Sequence, residues 1–339
     1  MVDNRIKIIV EANIPYFKGL LDDVAEISYL PAADITVEAL RGADALVTRT
    51  RTRCDKDLLD GTRCSIVASA TIGLDHVDIP WCEAHGIEVC NAPGCNAPAV
   101  AQYVFASLLS LRDDLRGATL GVVGAGHVGS IVADWGRQLG MTVLLNDPPR
   151  AAAEGAEGFV TLDTIAAEAD FVTFHTPFTK EGDFPTYHLC DAAFISKLRR
   201  KPVIINSARG PVTDTGALLS GLSSGKIGAL VIDCWEGEPA IDHRLLDAAA
   251  IATPHIAGYS RQGKMRASLM AAQTIARHFS LSMPQGASMK YLPDSVCPGE
   301  IKGSYNPLAD TAALRSMPHK FEQLRNTYPL RNEVGFAGQ

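Results

Sequence analysis

The sequence predicts an α/β fold of two domains built on open parallel sheets. Three observations carry that prediction. The chain has 339 residues, two domains' worth at roughly 150 residues each. Short runs rich in Val, Ile and Ala alternate with helix-type stretches, the rhythm of parallel strands covered on both faces. A glycine string, Gly124-x-Gly126-x-x-Gly129, lies between one such run and a helical stretch.

Composition sets the outer bounds. Hydrophobic residues at 47% against 20% charged give a globular balance rather than a disordered one. The net charge of −7 has the wrong sign for a nonspecific grip on DNA or an anionic bilayer, so neither a nucleic-acid nor a membrane partner is expected. No apolar run reaches the ~18 residues of a membrane span. The opening MVDNRIKIIVEAN passes from charge into a short strand without a signal-peptide layout, so a cytoplasmic location is expected. The eight cysteines are dispersed, with no Cys-x-x-Cys pair and no zinc spacing, which predicts reduced packing thiols and no metal.

In the first ninety residues, strands are predicted at 6–10, 45–48, 66–70 and 87–90, and helices at 17–24 and 37–40, the latter capped by Thr36. Next, Pro98 suits the first turn of a long helix. Val100, Tyr103, Val104, Ser107, Leu108 and Leu111 recur along it at helical spacing, as a buried core element would. From Thr119 a second series of strands follows: LGVVG, VLLND, FVTFHTP, VIINSARG, LVIDCW and IATPHIAG. This is the pattern of a doubly wound parallel sheet. Residues 260–280 return to helix. Beyond Met283 the chain gains Pro, Gly and Ser and loses its strand rhythm until a helix at 319–328, so it reads as a short C-terminal appendage without its own core.

Context turns the glycine string into a dinucleotide fingerprint. A strand precedes it, a helix follows it, and the next strand ends in Asp147, 18 residues beyond Gly129. Gly124 permits the tight turn, Gly126 lets the backbone approach a pyrophosphate, and Gly129 allows helix and strand to close-pack. The amides of His127 and Val128 lie at the helix N-terminus, which favours an anion. Asp147 can accept from ribose hydroxyls and repels a 2′-phosphate, which predicts NAD rather than NADP.

Three polar residues follow successive strands of the second series. Arg209 closes VIINSARG, Glu238 sits in DCWEGEP, and His255 sits in ATPHIAG. Singly, they suit a surface ion pair, a loop carboxylate and a core histidine. Together, beyond a nucleotide fingerprint and at the carboxyl ends of strands, they suit oxidation of a 2-hydroxy acid. Arginine offers a forked cation to the carboxylate and the C2 oxygen, histidine takes the hydroxyl proton, and glutamate orients the histidine and favours its charged form.

SARGPVTDTGAL, DCWEGEP and TPHIAG resemble the signatures of the D-isomer-specific 2-hydroxyacid dehydrogenases, with Arg209, Glu238 and His255 on the catalytic positions. DALVTRT, ATIGLDHVD, APGCNAPAVAQYVFASLL, NDPPR, FHTPFTKEGDFPTYHL and the tyrosine of HIAGY narrow the resemblance to a branch acting on a small phosphorylated hydroxy acid. The resemblance implies a flavodoxin-like substrate domain at 1–95 and 259–282. A Rossmann-type NAD domain would be inserted at 96–258, with the active site in the cleft between them. Residues 283–339 would form a tail and possible dimerisation segment. Substrate contacts carry over to Thr50, Thr71 and Tyr259, and cofactor contacts to His127, Val128, Asp147, Thr176, Ser207, Ala208, Arg209, Asp233 and Gly258.

The turn from Thr71 to Gly73 could also present backbone amides to a carboxylate, and Arg49, Arg51 and Arg53 could help to hold a phosphate or form a solvated basic loop. A homodimer is implied as well. Longer members dimerise through additional C-terminal sequence, whereas this chain stops at FAGQ. Two alternatives stay open: 3-phosphoglycerate or glyoxylate and hydroxypyruvate as the substrate pair, or a nonenzymatic NAD-sensing protein of corepressor type.

Overall fold

The computed structural model describes residues 5–283 and 292–336. Residues 284–291 of the expected appendage, and the last three residues of FAGQ, lie outside the described residues. The rest falls into two compact units, residues up to 96 with 261–283, and residues 97–260 with 292–336.

The first stretch runs β1 (Lys7–Glu11), β2 (Glu26–Leu30), α1 (Val37–Leu40), β3 (Ala45–Thr48), α2 (Lys56–Leu59), β4 (Ile66–Ser69), α3 (Ile79–Ala84) and β5 (Glu88–Cys90). Its sheet is wholly parallel in the order β2-β1-β3-β4-β5, the flavodoxin-like order. Thr36 caps α1 as expected, its side chain accepting from the Ala39 amide.

The short helices α2 and α3 stand where no helix is predicted, and two further features differ from expectation. Residues 17–24 form successive turns, not a helix, closed by Leu20 N–Phe17 O at 3.1 Å and Val24 N–Leu21 O at 3.0 Å. Gly19, at φ +90° with its amide on Asp22 Oδ2, and Tyr16, at φ +62°, break the helical path. The strand β2 escaped prediction because EISYL is a half-exposed edge strand with no continuous apolar run.

The second stretch runs α4 (Ala97–Leu111), β6 (Thr119–Val123), α5 (His127–Gln138), β7 (Thr142–Asn146), α6 (Pro148–Glu154), α7 (Leu162–Glu168), β8 (Phe171–Phe174), α8 (Ala192–Ser196), β9 (Val203–Asn206), α9 (Thr215–Ser223), β10 (Ala229–Ile232), α10 (His243–Ala248) and β11 (Ile251–Ala252). The sheet is again parallel, ordered β11-β10-β9-β8-β6-β7. The order reverses between β6 and β8, so the crevice outside their carboxyl ends is where a ligand belongs. Every residue of α4 from Ala97 to Leu109 is buried, whereas Leu111 is 37% exposed at the helix end. Each large apolar side chain so buried stabilises by about 1.5–3 kcal/mol.

Thereafter α11 (Arg261–His278) packs Ala267, Ala271 and Ile275 against Ile8, Val10, Val47 and Ile66 of the first sheet. The tail holds α12 (Pro298–Ser304), α13 (Pro307–Ser316) and α14 (Phe321–Asn326). Prolines that read as loop signals stand in the first turns of α12 and α13, where their missing amide costs nothing. Ile301 and Tyr305 join the core beside α4, and Leu314 and Phe321 join the core on the other face of the second sheet. The eight cysteines are free thiols. Among the described residues, no helix is long and apolar enough to cross a membrane.

Candidate active site

The turn from β6 into α5 is built by the glycine string. Gly124 has φ +91°, and a Cβ there would lie 2.8 Å from the His175 carbonyl carbon. At Gly129 a Cβ would lie 1.8 Å from Gly124 O, so only glycine lets the helix approach the turn. Gly126, the N-cap of α5, is different. A Cβ there meets nothing within 4 Å, so its glycine leaves open space above the helix N-terminus. His127 and Val128 open that helix, where amides lack helical acceptors and the dipole is positive.

A dinucleotide fits what surrounds this turn. Thr176 Oγ1, just beyond β8, and Ser207 Oγ, just beyond β9, are buried and hydrogen-bond no protein group among the described residues. Buried hydroxyls without a partner cost free energy, and a ligand's polar groups would satisfy them. Asp147 follows β7 and caps α6. Its oxygens accept from Ala125 N at 2.8 Å and Arg150 N at 3.0 Å, which leaves lone pairs for two further donors.

The predicted catalytic residues stand beyond β9, β10 and β11. Asn206, at the end of β9 and fully buried, organises the first turn: Nδ2 donates to Arg209 O at 3.0 Å and Thr213 Oγ1 at 3.1 Å, and Oδ1 accepts from Ala208 N at 3.1 Å. Arg209 itself donates to Ala208 O at 2.8 Å. A Cβ on the next residue, Gly210, would lie 1.9 Å from Trp235 O, so the turns after β9 and β10 touch backbone to backbone. Between them the buried Cys234 thiol is pushed up by burial and by the charges of Asp233 and Glu238, and is drawn down by Arg209.

His255 Nδ1 meets Glu238 Oε1 at 2.6 Å. Both side chains are about three-quarters buried, and the imidazole's Nε2 has no protein partner among the described residues. Burial opposes the charge of Glu238. The His255 hydrogen bond and charge, aided by Arg325 and the Trp235 amide, outweigh it and hold the carboxyl below its ordinary value.

The loop bearing His255 hangs on Asp233. Its Oδ1 accepts from Thr253 Oγ1 at 2.7 Å and Ile256 N at 2.8 Å, and Oδ2 accepts from Ala257 N at 2.9 Å. Burial nevertheless raises the Asp233 pKa. Thr253 in turn receives Tyr103 OH on its hydroxyl at 2.8 Å and Trp235 Nε1 on its carbonyl at 2.9 Å. Gly258 and Tyr259 complete the loop, with the Tyr259 amide on Ile256 O at 2.9 Å.

Sequence reasoning missed Asn206, Thr253 and Tyr103. Asn206 could have been found as a polar residue ending an apolar strand. The Tyr103 hydroxyl, on a helix that reads as core throughout, carried no signal.

In the first unit, Thr50 is exposed in the turn after β3. Thr71 is half-buried, its hydroxyl 2.7 Å from Ser69 Oγ and donating to Gly73 O at 3.2 Å, while Asn91 Nδ2 holds Ile72 O at 2.6 Å. The turn is therefore pinned with the amides of Ile72 and Gly73 unspent on protein acceptors among the described residues. Buried Glu11 accepts from Arg49 N and Thr52 Oγ1, each at 3.0 Å, and so shapes the loop of arginines. Arg53 is paired with Asp55, and Arg51 is exposed.

Comparison with known proteins gives the family and the fold. The profile described as D-isomer specific 2-hydroxyacid dehydrogenase, NAD binding domain, matches residues 102–257. An erythronate-4-phosphate dehydrogenase of Bacteroides thetaiotaomicron is 46% identical, covering 97% of each chain. One from Porphyromonas gingivalis is 41% identical, covering 97% of this chain and 94% of that one. Among solved structures, the D-lactate dehydrogenase of Aquifex aeolicus, in complex with NAD and lactic acid, gives a TM-score of 0.66 at 26% identity, covering 81% of this chain and 95% of that one. Identity at the level of the first two, sustained along nearly the whole of each relative, makes this chain a member of the erythronate-4-phosphate dehydrogenases, within the D-isomer specific 2-hydroxyacid dehydrogenases.

Proposed function

We propose that the chain oxidises 4-phospho-D-erythronate at C2 to (R)-3-hydroxy-2-oxo-4-phosphooxybutanoate, with NAD as the acceptor, on the route to pyridoxal 5′-phosphate. The observation that carries the reaction is the 2.6 Å contact of His255 Nδ1 with Glu238 beyond the carboxyl ends of the NAD unit's strands. The relatives' shared activity supplies the substrate.

NAD, when bound, takes up the hydride from C2. Gly124, Gly126, His127, Val128 and Gly129 would hold its pyrophosphate and Asp147 its ribose. Thr176, Ser207, Ala208, Asp233 and Gly258 would line the remainder. His255 removes the C2 hydroxyl proton through Nε2, the nitrogen left without a protein partner. Glu238 fixes the ring and balances the charge that the proton brings. Arg209 binds the carboxylate and the C2 oxygen. Thr50, Thr71, the Gly73 amide and Tyr259 contact substrate, with Arg49 and Arg51 as candidates for the phosphate.

The same reading makes the enzyme a cytoplasmic homodimer with no nucleic-acid or membrane partner, and the net charge of −7 supports the latter half. A nonenzymatic NAD sensor would have no use for an imidazole paired with a carboxylate beside an open nitrogen. The test is NADH formation by the purified chain, with light scattering for its mass. Turnover is expected with 4-phosphoerythronate; turnover confined to 3-phosphoglycerate or glyoxylate would overturn the substrate.

A further inference from the structure

Arg331, in the tail beyond α14, is buried, and its guanidinium reaches the loop that carries His255. Nη1 donates to Ile256 O at 3.1 Å, and Nη2 donates to Ala257 O and, at 3.2 Å, to Ala99 O in α4. Nε donates to Gln102 Oε1, also in α4, at 3.2 Å. The guanidinium carbon lies over the Tyr305 ring, 4.3 Å from its centroid. The backbone of Arg331 pairs with Ser260 in an isolated parallel bridge, and Ser260 Oγ donates to Glu333 at 2.6 Å.

These contacts complete what Asp233 begins. Asp233 takes the amides of Ile256 and Ala257, and Arg331 takes the carbonyls of the same two residues. The peptide unit joining Ile256 to Ala257 is therefore held at both ends, its N–H on a carboxylate and its C=O on a guanidinium, the sense in which its dipole is stabilised. Every acceptor that the guanidinium meets among the described residues is neutral. Asp310 is linked to it through Tyr328, whose hydroxyl accepts from Nη1 at 3.4 Å and donates to the carboxylate at 3.1 Å. A charge buried without a direct counter-ion is costly, and packing alone would be served by an apolar side chain.

We propose that Arg331 is a positioning residue for His255, fixing from the tail the two residues that follow the histidine and, through them, the place of its ring. Arginine suits this because one planar fork serves the loop and α4 at once, which the point charge of a lysine cannot do. The inference rests on the reading of His255 as the base. It makes the tail a support of the active site rather than an appendage.

The test is a double-mutant cycle on the full chain: Arg331→Met, His255→Ala and both together, with Arg331→Lys as the conservative variant. Turnover is measured at saturating NAD and 4-phosphoerythronate, well below the Tm of each variant. Arg331→Met is expected to lower kcat about ten- to a hundredfold, the scale on which a misplaced catalytic group loses rate, and Arg331→Lys by an intermediate factor. In the His255→Ala background, Arg331→Met should lower the residual kcat less than about threefold, because the ring it placed is gone. A merely structural arginine would cost the same in both backgrounds. Equal losses there, or an unchanged kcat in Arg331→Met, would overturn the proposal. Should Arg331→Met fail to fold, the same cycle is run with Arg331→Lys and judged in the same way. If His255→Ala alone keeps the parent's kcat, the reading of the base fails and the inference falls with it; if His255→Ala loses turnover and Arg331→Met does not, only the inference falls. If the parent turns over a different 2-hydroxy acid, the cycle measured on that acid still decides the role of Arg331.

Discussion

At the scale of single residues the proposed chemistry turns on His255. It holds φ at +56°, a left-handed conformation uncommon for a residue with a side chain, and its own amide is tied to Asp233 O at 2.9 Å and Thr253 O at 3.0 Å. The backbone is thus over-determined, and the ring's remaining freedom is removed by Glu238. Replacing His255 by Ala removes the proposed base while leaving the Asp233 anchor of its loop in place. Turnover is expected to fall about 10²- to 10⁴-fold, whereas NAD affinity, measured by fluorescence titration, stays within about threefold of the parent. Arg209, Glu238 and His255 were legible in sequence because each follows a recognisable apolar strand by a few residues, and parallel strands put such residues at one edge. What sequence could not convey was the support beneath them. Tyr103 reaches Thr253 across 150 positions of chain, and no local pattern encodes a hydrogen bond of that separation.

Among the elements, the β6–α5 turn separates a requirement of the fold from a requirement of the ligand. Gly126→Ala adds a methyl that meets no protein atom within 4 Å, at a φ of −74° that alanine adopts without strain. Gly129→Ala drives a methyl to 1.8 Å from the Gly124 carbonyl oxygen, so helix and strand must part. We therefore expect Gly126→Ala to keep Tm within about 2 °C while weakening NAD binding at least tenfold, and Gly129→Ala to lose ~2 kcal/mol or more of stability, read by urea unfolding. Loss of stability at Gly126, or none at Gly129, would contradict the division. Elements whose burial pattern is their own were legible: the buried strands of both sheets and α4. Those shaped by context were not. The edge strand β2 takes its pairing from β1, and α12 and α13 begin with prolines that a linear reading counts as breaks.

For the molecule as a whole, each unit is built on its own wholly parallel sheet, and the second unit stores a sensitivity to acid. His175 follows β8, its Nε2 2.9 Å from Thr173 Oγ1, and burial drives its pKa down to about 3. In the unfolded chain the ring titrates near its ordinary value of about 6.5. The folded value is therefore the lower one, and unfolding takes up a proton between the two. Above about pH 6.5 both states are neutral and His175 adds no slope; as pH falls toward about 3 it subtracts up to about 1.4 kcal/mol per pH unit. Raised Asp233 and Asp310 act in the opposite sense, since a buried carboxyl with an elevated pKa favours the folded state in acid, so the total curve mixes the two. Comparison with His175→Gln separates them, because every carboxyl titrates alike in both proteins. A glutamine offers Thr173 a hydrogen-bonding group that does not titrate in this range. Unfolding free energies from pH 8 to pH 4.5 should run parallel above about pH 6.5 and diverge below it, the parent losing stability faster. Parallel lines throughout would mean that the imidazole titrates alike in the folded and unfolded chains, and that the end of β8 admits its charge next to the glycine turn.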